Sequence, residues 1–355
     1  MGVQPRPGIL DVAAYVGGES KAEATRVIRL ASNENPLGCS PAAREAYRML
    51  GSDLHRYPDG GTAALRKALA DRYGLEAERI VATAGSDELI ALLVRAYAGP
   101  GDEVLYSAHG FLMYAISART AGATAVAAPE VGLRADVDAL LERVNDRTRL
   151  LFLANPNNPT GSYLPAAEIE RLHGALPPHV LLVIDAAYAE YVTAADYSDH
   201  FDLVRHSDNV VVMRTFSKIH GLAALRIGWG YMPAAVADVL NRVRGPFNVS
   251  AAGQAAAVAA LDDEAFVRRS REENERVRAL FVADLHRLNL RAEPSVGNFV
   301  LVAVGDAAGA AAHLKDRGIL VRQMQAYGLP EHLRITVGTQ EDMAAVVAAL
   351  ADWQR

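Results

Sequence analysis

Three segments gather side chains that could do chemistry together. Lys218 lies in Thr215-Phe216-Ser217-Lys218-Ile219-His220-Gly221. A lone lysine in a loop is ordinarily a solvated charge, but the apolar neighbours Phe216 and Ile219 would desolvate its ammonium and lower its pKa. A neutral amine is what carbonyl chemistry requires. The chain has only four lysines (Lys21, Lys67, Lys218 and Lys315) among 36 basic residues, so one kept in an apolar setting stands out. Asp185 ends the apolar run 180–184, with Tyr188 three residues on, pairing a carboxylate with a phenol. An aspartate after a buried strand is often no more than a helix N-cap, so its weight comes from the company it keeps. In Asn155-Pro156-Asn157-Asn158-Pro159-Thr160-Gly161, prolines and a glycine force a turn that exposes amides.

The elements that must position these groups alternate. Candidate strands lie at 79–82, 103–107, 123–127, 149–154, 180–184, 209–214 and 226–231, separated by helical spacing such as 87–97 and 166–175. Strand–helix alternation predicts an α/β fold with a mainly parallel seven-stranded sheet covered on both faces. The runs 150–154 and 180–184 are apolar on both faces, as central parallel strands should be. Ligands of open α/β sheets bind beyond the carboxyl ends of the strands, where all three segments fall. After Pro246 the character changes. A helix at 265–288 carries Phe266, Val277, Leu280, Phe281 and Leu285 on one side, and a tail with strands at 298–304, 319–321 and 333–337 and helices at 307–317 and 341–353 follows. The expected organisation is an arm (1–30) packing with the small domain, a large domain (31–249) and a smaller α/β C-terminal domain (250–355).

Composition narrows the partners. The net charge of −6 offers no basic field for nucleic acid, so a substrate anion must be captured by a few local arginines. A single cysteine, Cys39, forms no internal disulfide and suits a reducing compartment. No secretory signal and no apolar stretch of membrane-spanning length is evident, so a cytoplasmic location is expected. No metal is called for. A nicotinamide dehydrogenase would need Gly-x-Gly-x-x-Gly after the first strand, whereas this chain has Thr83-Ala84-Gly85-Ser86-Asp87-Glu88.

The Asn-Pro-Asn-Asn-Pro-Thr-Gly segment, Asp185-x-x-Tyr188, Ser217-Lys218 and Leu225-Arg226-Ile227-Gly228 resemble the fold-type I, class I/II pyridoxal-5′-phosphate (PLP) aminotransferases. Four further segments bring the resemblance closest to the histidinol-phosphate aminotransferases. They are Ala31-Ser32-Asn33-Glu34-Asn35-Pro36-Leu37-Gly38, Arg56-Tyr57-Pro58-Asp59-Gly60, Phe247-Asn248-Val249-Ser250 and Leu333-Arg334-Ile335-Thr336-Val337-Gly338. The resemblance implies a PLP cofactor carried covalently by Lys218, which would also shuttle the proton. Asp185 would pair with the pyridinium nitrogen, while Asn157 and Tyr188 would hydrogen-bond the ring oxygen. Gly85, Ser86 and Asp87 would hold the cofactor phosphate at a helix start, where unpaired N–H groups favour an anion. Thr215, Ser217 and Arg226 would complete that cradle, and Phe111 would stack on the ring. Tyr57 would reach the cofactor phosphate of a neighbouring subunit, giving a homodimer with shared active sites.

For the substrate, the resemblance implies that Arg334 binds the acidic group, Arg322 adds a second cation, Tyr15 closes over the site and Asn157 contributes a contact. Two arginines suit a dianionic phosphate better than a carboxylate, although Arg322 could equally form a surface ion pair. The amino donor would be histidinol phosphate and the 2-oxo acid acceptor 2-oxoglutarate, as in histidine biosynthesis. Segment 321–330 lacks the charged residues that follow this arginine in many histidine-pathway relatives. Its Tyr327-Gly328-Leu329-Pro330 leaves an aromatic amino acid aminotransferase as the alternative. A PLP decarboxylase of the threonine-phosphate type shares almost all these motifs and is a lesser alternative. A PLP-sensing transcription regulator is not expected, since motifs beginning near residue 31 leave no room for a DNA-binding domain before them.

Overall fold

Seven β-rich runs build one sheet, the central ones with side chains buried on both faces. They are β1 (Ile80–Thr83), β2 (Glu103–Ser107), β3 (Thr124–Ala128), β4 (Thr148–Ala154), β5 (Leu181–Asp185), β6 (Val210–Thr215) and β7 (Gly228–Tyr231). The computed structural model describes residues 3–6, 8–12, 17–18 and 26–354. Sheet order is β1-β7-β6-β5-β4-β2-β3, and every neighbour is parallel except β7, which runs antiparallel to β1 and β6. This is the mainly parallel seven-stranded sheet the alternation predicted. Helices cover both faces: Leu89, Ile90 and Leu93 pack on one side, Leu65, Leu69, Ile169 and Leu172 on the other. Each such side chain contributes about 1.5–3 kcal/mol on burial, before conformational entropy is counted.

Parallel strands end on one edge, so Thr83, Ser107, Ala154, Asp185 and Thr215 emerge together. Strand β7 starts at that same edge, with Gly228 opposite both Thr83 and Thr215. A Cβ on Gly228 would lie 2.3 Å from Ser86 N, so only glycine lets β7 pass this close to the helix Ser86–Tyr97.

A second, antiparallel sheet follows, formed by β8 (Arg291–Ala292), β9 (Phe299–Ala303), β10 (Arg322–Gln323) and β11 (His332–Thr336) in the order β8-β9-β11-β10. Its core includes Val277, Phe281 and Leu285 from the helix Glu264–Arg287. Leu280, expected on that buried side, is instead exposed. The Ala-rich helix Ala251–Asp262, expected to open the small domain, puts Ala256, Ala257 and Ala260 into the core of the large sheet. The change of core therefore comes one helix later than the boundary drawn at residue 250. From the arm, Ile28–Arg29 pairs in parallel with Ile319–Leu320, and Leu30 enters the small core. Among the described residues no helix is long and apolar enough to cross a membrane.

Candidate active site

The carboxyl edge of the large sheet and the face of the small one enclose a cavity of about 260 Å³. Lys218 projects into it from the loop after β6. Its neighbours Phe216 and Ile219 are buried, as the sequence predicted. Burial, and then the nearby Arg334 guanidinium, lower the Lys218 pKa to about 8. The amine donates to the Ser32 carbonyl at 3.1 Å.

Asp185 ends β5 and lines the same cavity. Its Oδ2 accepts from the Tyr114 hydroxyl at 2.7 Å, while Oδ1 is buried without a hydrogen-bond partner. Burial raises its pKa to about 6 against the opposing Tyr114 hydrogen bond. A buried acceptor left unmatched costs about 1–3 kcal/mol, so Oδ1 favours a donor placed in the cavity that Asp185 lines. Tyr188 also lines the cavity. Burial pushes its pKa up to about 12, so it keeps its proton at neutral pH.

One part of the cavity wall offers the donor groups that a cradle for an anion needs. Ser86 and Asp87, at the start of the helix Ser86–Tyr97, line the cavity there together with Thr215, Ser217 and Arg226. Arg226 takes a left-handed φ of 55° before β7, which sends its guanidinium back to Ser217 Oγ (3.3 Å) and Asp87 Oδ2 (3.1 Å). Gly85 is not in the wall but is what permits the cradle. At its φ of 84° a Cβ would lie 2.3 Å from Arg226 Nη2. Phe111 lines the cavity at the start of the helix Leu112–Ala121, set edge-on to Tyr114.

Two further guanidiniums line the cavity. Register places Arg322 on β10 directly opposite Arg334 on β11, and both line the cavity. Arg334 donates to Asn158 Oδ1 at 2.5 Å and to the Ala31 carbonyl at 2.7 Å.

Besides Gly85, two expected residues are not in the cavity wall. Asn157, expected on the ring oxygen and the substrate, is not in the cavity wall. Its Nδ2 is held by Thr160 Oγ1 at 2.9 Å and the His109 carbonyl at 3.2 Å. Its neighbour Asn158 lines the cavity instead, because the turn points successive side chains in different directions. Tyr57 stacks on Phe247 with ring centroids 4.7 Å apart, is 82% exposed, and is not part of this chain's own cavity wall. Tyr15 lies outside the described residues. Sequence reasoning also missed Tyr114 and gave Asn33 no role, though the latter sits within a quoted motif.

A family model, aminotransferase class I and II, matches residues 25–350. The chain is 61% identical over 354 residues to a histidinol-phosphate aminotransferase of Rhodospirillum centenum, covering 98% of each. It is 56% identical to one of Paramagnetospirillum magneticum, again covering 98% of each. Its structure matches that of histidinol-phosphate aminotransferase from Sinorhizobium meliloti in complex with pyridoxal-5′-phosphate, with a TM-score of 0.91 and 30% identity, covering 99% of this chain and 98% of the other. With the strand-end lysine, aspartate and tyrosine gathered in one cavity, these matches show that the chain belongs to the class I and II aminotransferases, within the histidinol-phosphate aminotransferase family.

Proposed function

We infer that the chain is a PLP-dependent aminotransferase that moves the amino group of histidinol phosphate to 2-oxoglutarate. The residues fit the cofactor. The orphaned Asp185 Oδ1 matches a pyridinium N–H, and the cradle of Ser86, Asp87, Thr215, Ser217 and Arg226 matches a phosphate. Bound there, PLP supplies an electron sink for the charge left when the substrate loses a proton. Asp185 keeps the ring nitrogen protonated. Lys218 Nζ, the one lysine amine among the described residues lining the cavity, is placed to carry the cofactor and to move the proton. With its pKa near 8, a useful fraction of the amine is neutral at physiological pH.

The observation that carries the substrate is the facing pair Arg322 and Arg334. A dianionic phosphate can take a charge-assisted contact from each of the two guanidiniums. A carboxylate is satisfied by one bidentate arginine. One charge-assisted hydrogen bond contributes about 1.5–3 kcal/mol. Arg322→Gln should therefore lower kcat/KM for histidinol phosphate roughly ten- to a hundredfold, and lower it much less for phenylalanine. Steady-state kinetics on both substrates check this; an equal loss on both would make Arg322 structural and remove the physical support for the phosphorylated substrate.

Assembly follows from Tyr57. Tyr57 is exposed and lines a surface groove with the exposed side chains Leu54 and Phe247. Such an apolar surface suits a partner subunit, and a homodimer would bring Tyr57 to the neighbour's cofactor phosphate. Mixing Tyr57→Phe with Lys218→Ala subunits should then regenerate one undamaged site per hybrid dimer. Recovered activity after demonstrated subunit exchange is the expected result, and none recovered speaks against shared sites.

A further inference from the structure

Asn33 is buried and takes a left-handed φ of 55°. It touches both halves of the site. Its Nδ2 donates to the Tyr188 hydroxyl oxygen at 2.8 Å. On its other side, the Asn33 backbone N–H donates to Thr336 Oγ1 at 3.0 Å, and the Thr336 hydroxyl donates to Asn33 Oδ1 at 3.1 Å. The Asn33 carbonyl accepts from Asn298 Nδ2 at 3.0 Å. Thr336 Oγ1 thus accepts from the Asn33 backbone while giving its own proton to Oδ1. In this arrangement the amide turns Nδ2 towards Tyr188.

The phenol has a single proton. Where Asn33 supplies the N–H, the Tyr188 oxygen acts as acceptor, so the phenolic proton points elsewhere. Around the ring the packing is apolar, with Phe299 edge-on at 5.1 Å and Ile219 beside it. The cavity is the remaining polar direction. Thr336 stands two residues beyond Arg334 on β11, hence on the same face of that strand. The strand that carries the anion-binding guanidinium thus also holds the amide that orients the phenol.

We propose that Asn33 is a positioning residue that fixes the Tyr188 hydroxyl as a donor into the cavity, towards the ring oxygen of the cofactor, and ties that orientation to the strand carrying Arg334. The proposal rests on the reading of this cavity as the PLP site. Burial keeps Tyr188 protonated, so a proton is there to be aimed. Asn33→Asp would replace the donor by an acceptor and draw the phenolic proton to itself. Asn33→Gly would remove the donor altogether. Asp and Gly both tolerate the left-handed backbone, which spares the local fold.

The readout is the pH midpoint at which the visible band of the bound cofactor titrates. The ring oxygen shares the proton of the neighbouring cofactor nitrogen, and a second donor on that oxygen weakens its hold on the shared proton. Losing the donor should raise the midpoint. Tyr188→Phe should raise it most. Asn33→Asp should raise it by about one pH unit, a tenfold change in the protonation equilibrium, and Asn33→Gly in the same direction. Placed on Tyr188→Phe, neither Asn33 change should move the midpoint further, since coupled residues are not additive. Thr336→Val, which keeps the amide but removes its anchor, should give a smaller upward shift and serves if the Asn33 variants do not fold. A midpoint shifted by Tyr188→Phe but unmoved by Asn33→Asp, Asn33→Gly and Thr336→Val overturns the proposal. Equal shifts with and without the Tyr188 hydroxyl overturn it too. A midpoint unmoved by Tyr188→Phe itself would instead overturn the cofactor reading beneath it.

Discussion

Lys218→Ala should reduce transamination roughly 10⁴-fold or more, the upper range for loss of a positioned acid–base group, and should leave no cofactor that borohydride can fix to the protein. Two roles fall on one nitrogen: covalent attachment and proton movement. No other lysine among the described residues lines the cavity. The chain gives this amine what it needs, since burial beside Phe216 and Ile219 and the field of Arg334 lower its pKa to about 8. A lysine in water has about one neutral amine in a few thousand at pH 7, whereas one with pKa near 8 has about one in ten. Single-turnover kinetics and peptide mapping after reduction check the prediction. A fixed cofactor at full occupancy in Lys218→Ala would place the attachment elsewhere.

Asp185→Asn carries the second large effect, and its sign reverses between the empty and loaded protein. The buried carboxylate has its pKa raised to about 6, first by desolvation. A raised folded pKa means that the stability linked to protonation is present below the unfolded value and lost as pH rises through the folded one. A shift of roughly two units corresponds to about 3 kcal/mol, so the ionised carboxylate weighs against the apoprotein above about pH 6. Asparagine removes that charge. At pH 7–8 the Asp185→Asn apoprotein should match or exceed wild type in thermal stability. The loaded protein should behave oppositely, because a pyridinium without its carboxylate is an uncompensated buried charge costing about 3–5 kcal/mol. Cofactor should then be held poorly and transamination should fall at least about a hundredfold. Thermal melts with and without cofactor, alongside turnover, measure both arms; near-normal turnover in Asp185→Asn would reject the electron-sink role.

Much of this was legible in the sequence, for physical reasons that also mark where legibility stopped. β4, β5 and β6 carry side chains buried on both faces, so their apolar runs announce central parallel strands, and the groups at their ends must share an edge. Lys218, Asp185 and Tyr188 were readable on that basis. The tandem asparagines were not. Both sit in one turn, and which amide faces the cavity depends on backbone angles that composition does not encode, so Asn157 was chosen where Asn158 lines the wall. Tyr114 and Asn33 were hidden by distance. Their partners Asp185 and Tyr188 lie 71 and 155 residues away, and nothing local marks such contacts. The helix Ala251–Asp262 is almost uniformly small and apolar, with no face to say which core it joins, so the domain boundary slid by one helix.

This cavity transfers the amino group of a phosphorylated amine. The direct test is the half-reaction: loaded enzyme mixed with histidinol phosphate, phenylalanine, tyrosine or aspartate, without acceptor, while the visible band is followed through one turnover. Histidinol phosphate should discharge the band with kcat/KM roughly ten- to a hundredfold above the other three, since on the proposed reading its phosphate, unlike a single carboxylate, takes charge-assisted bonds from both Arg322 and Arg334. Phenylalanine or tyrosine reacting as well as or better than histidinol phosphate would contradict the account.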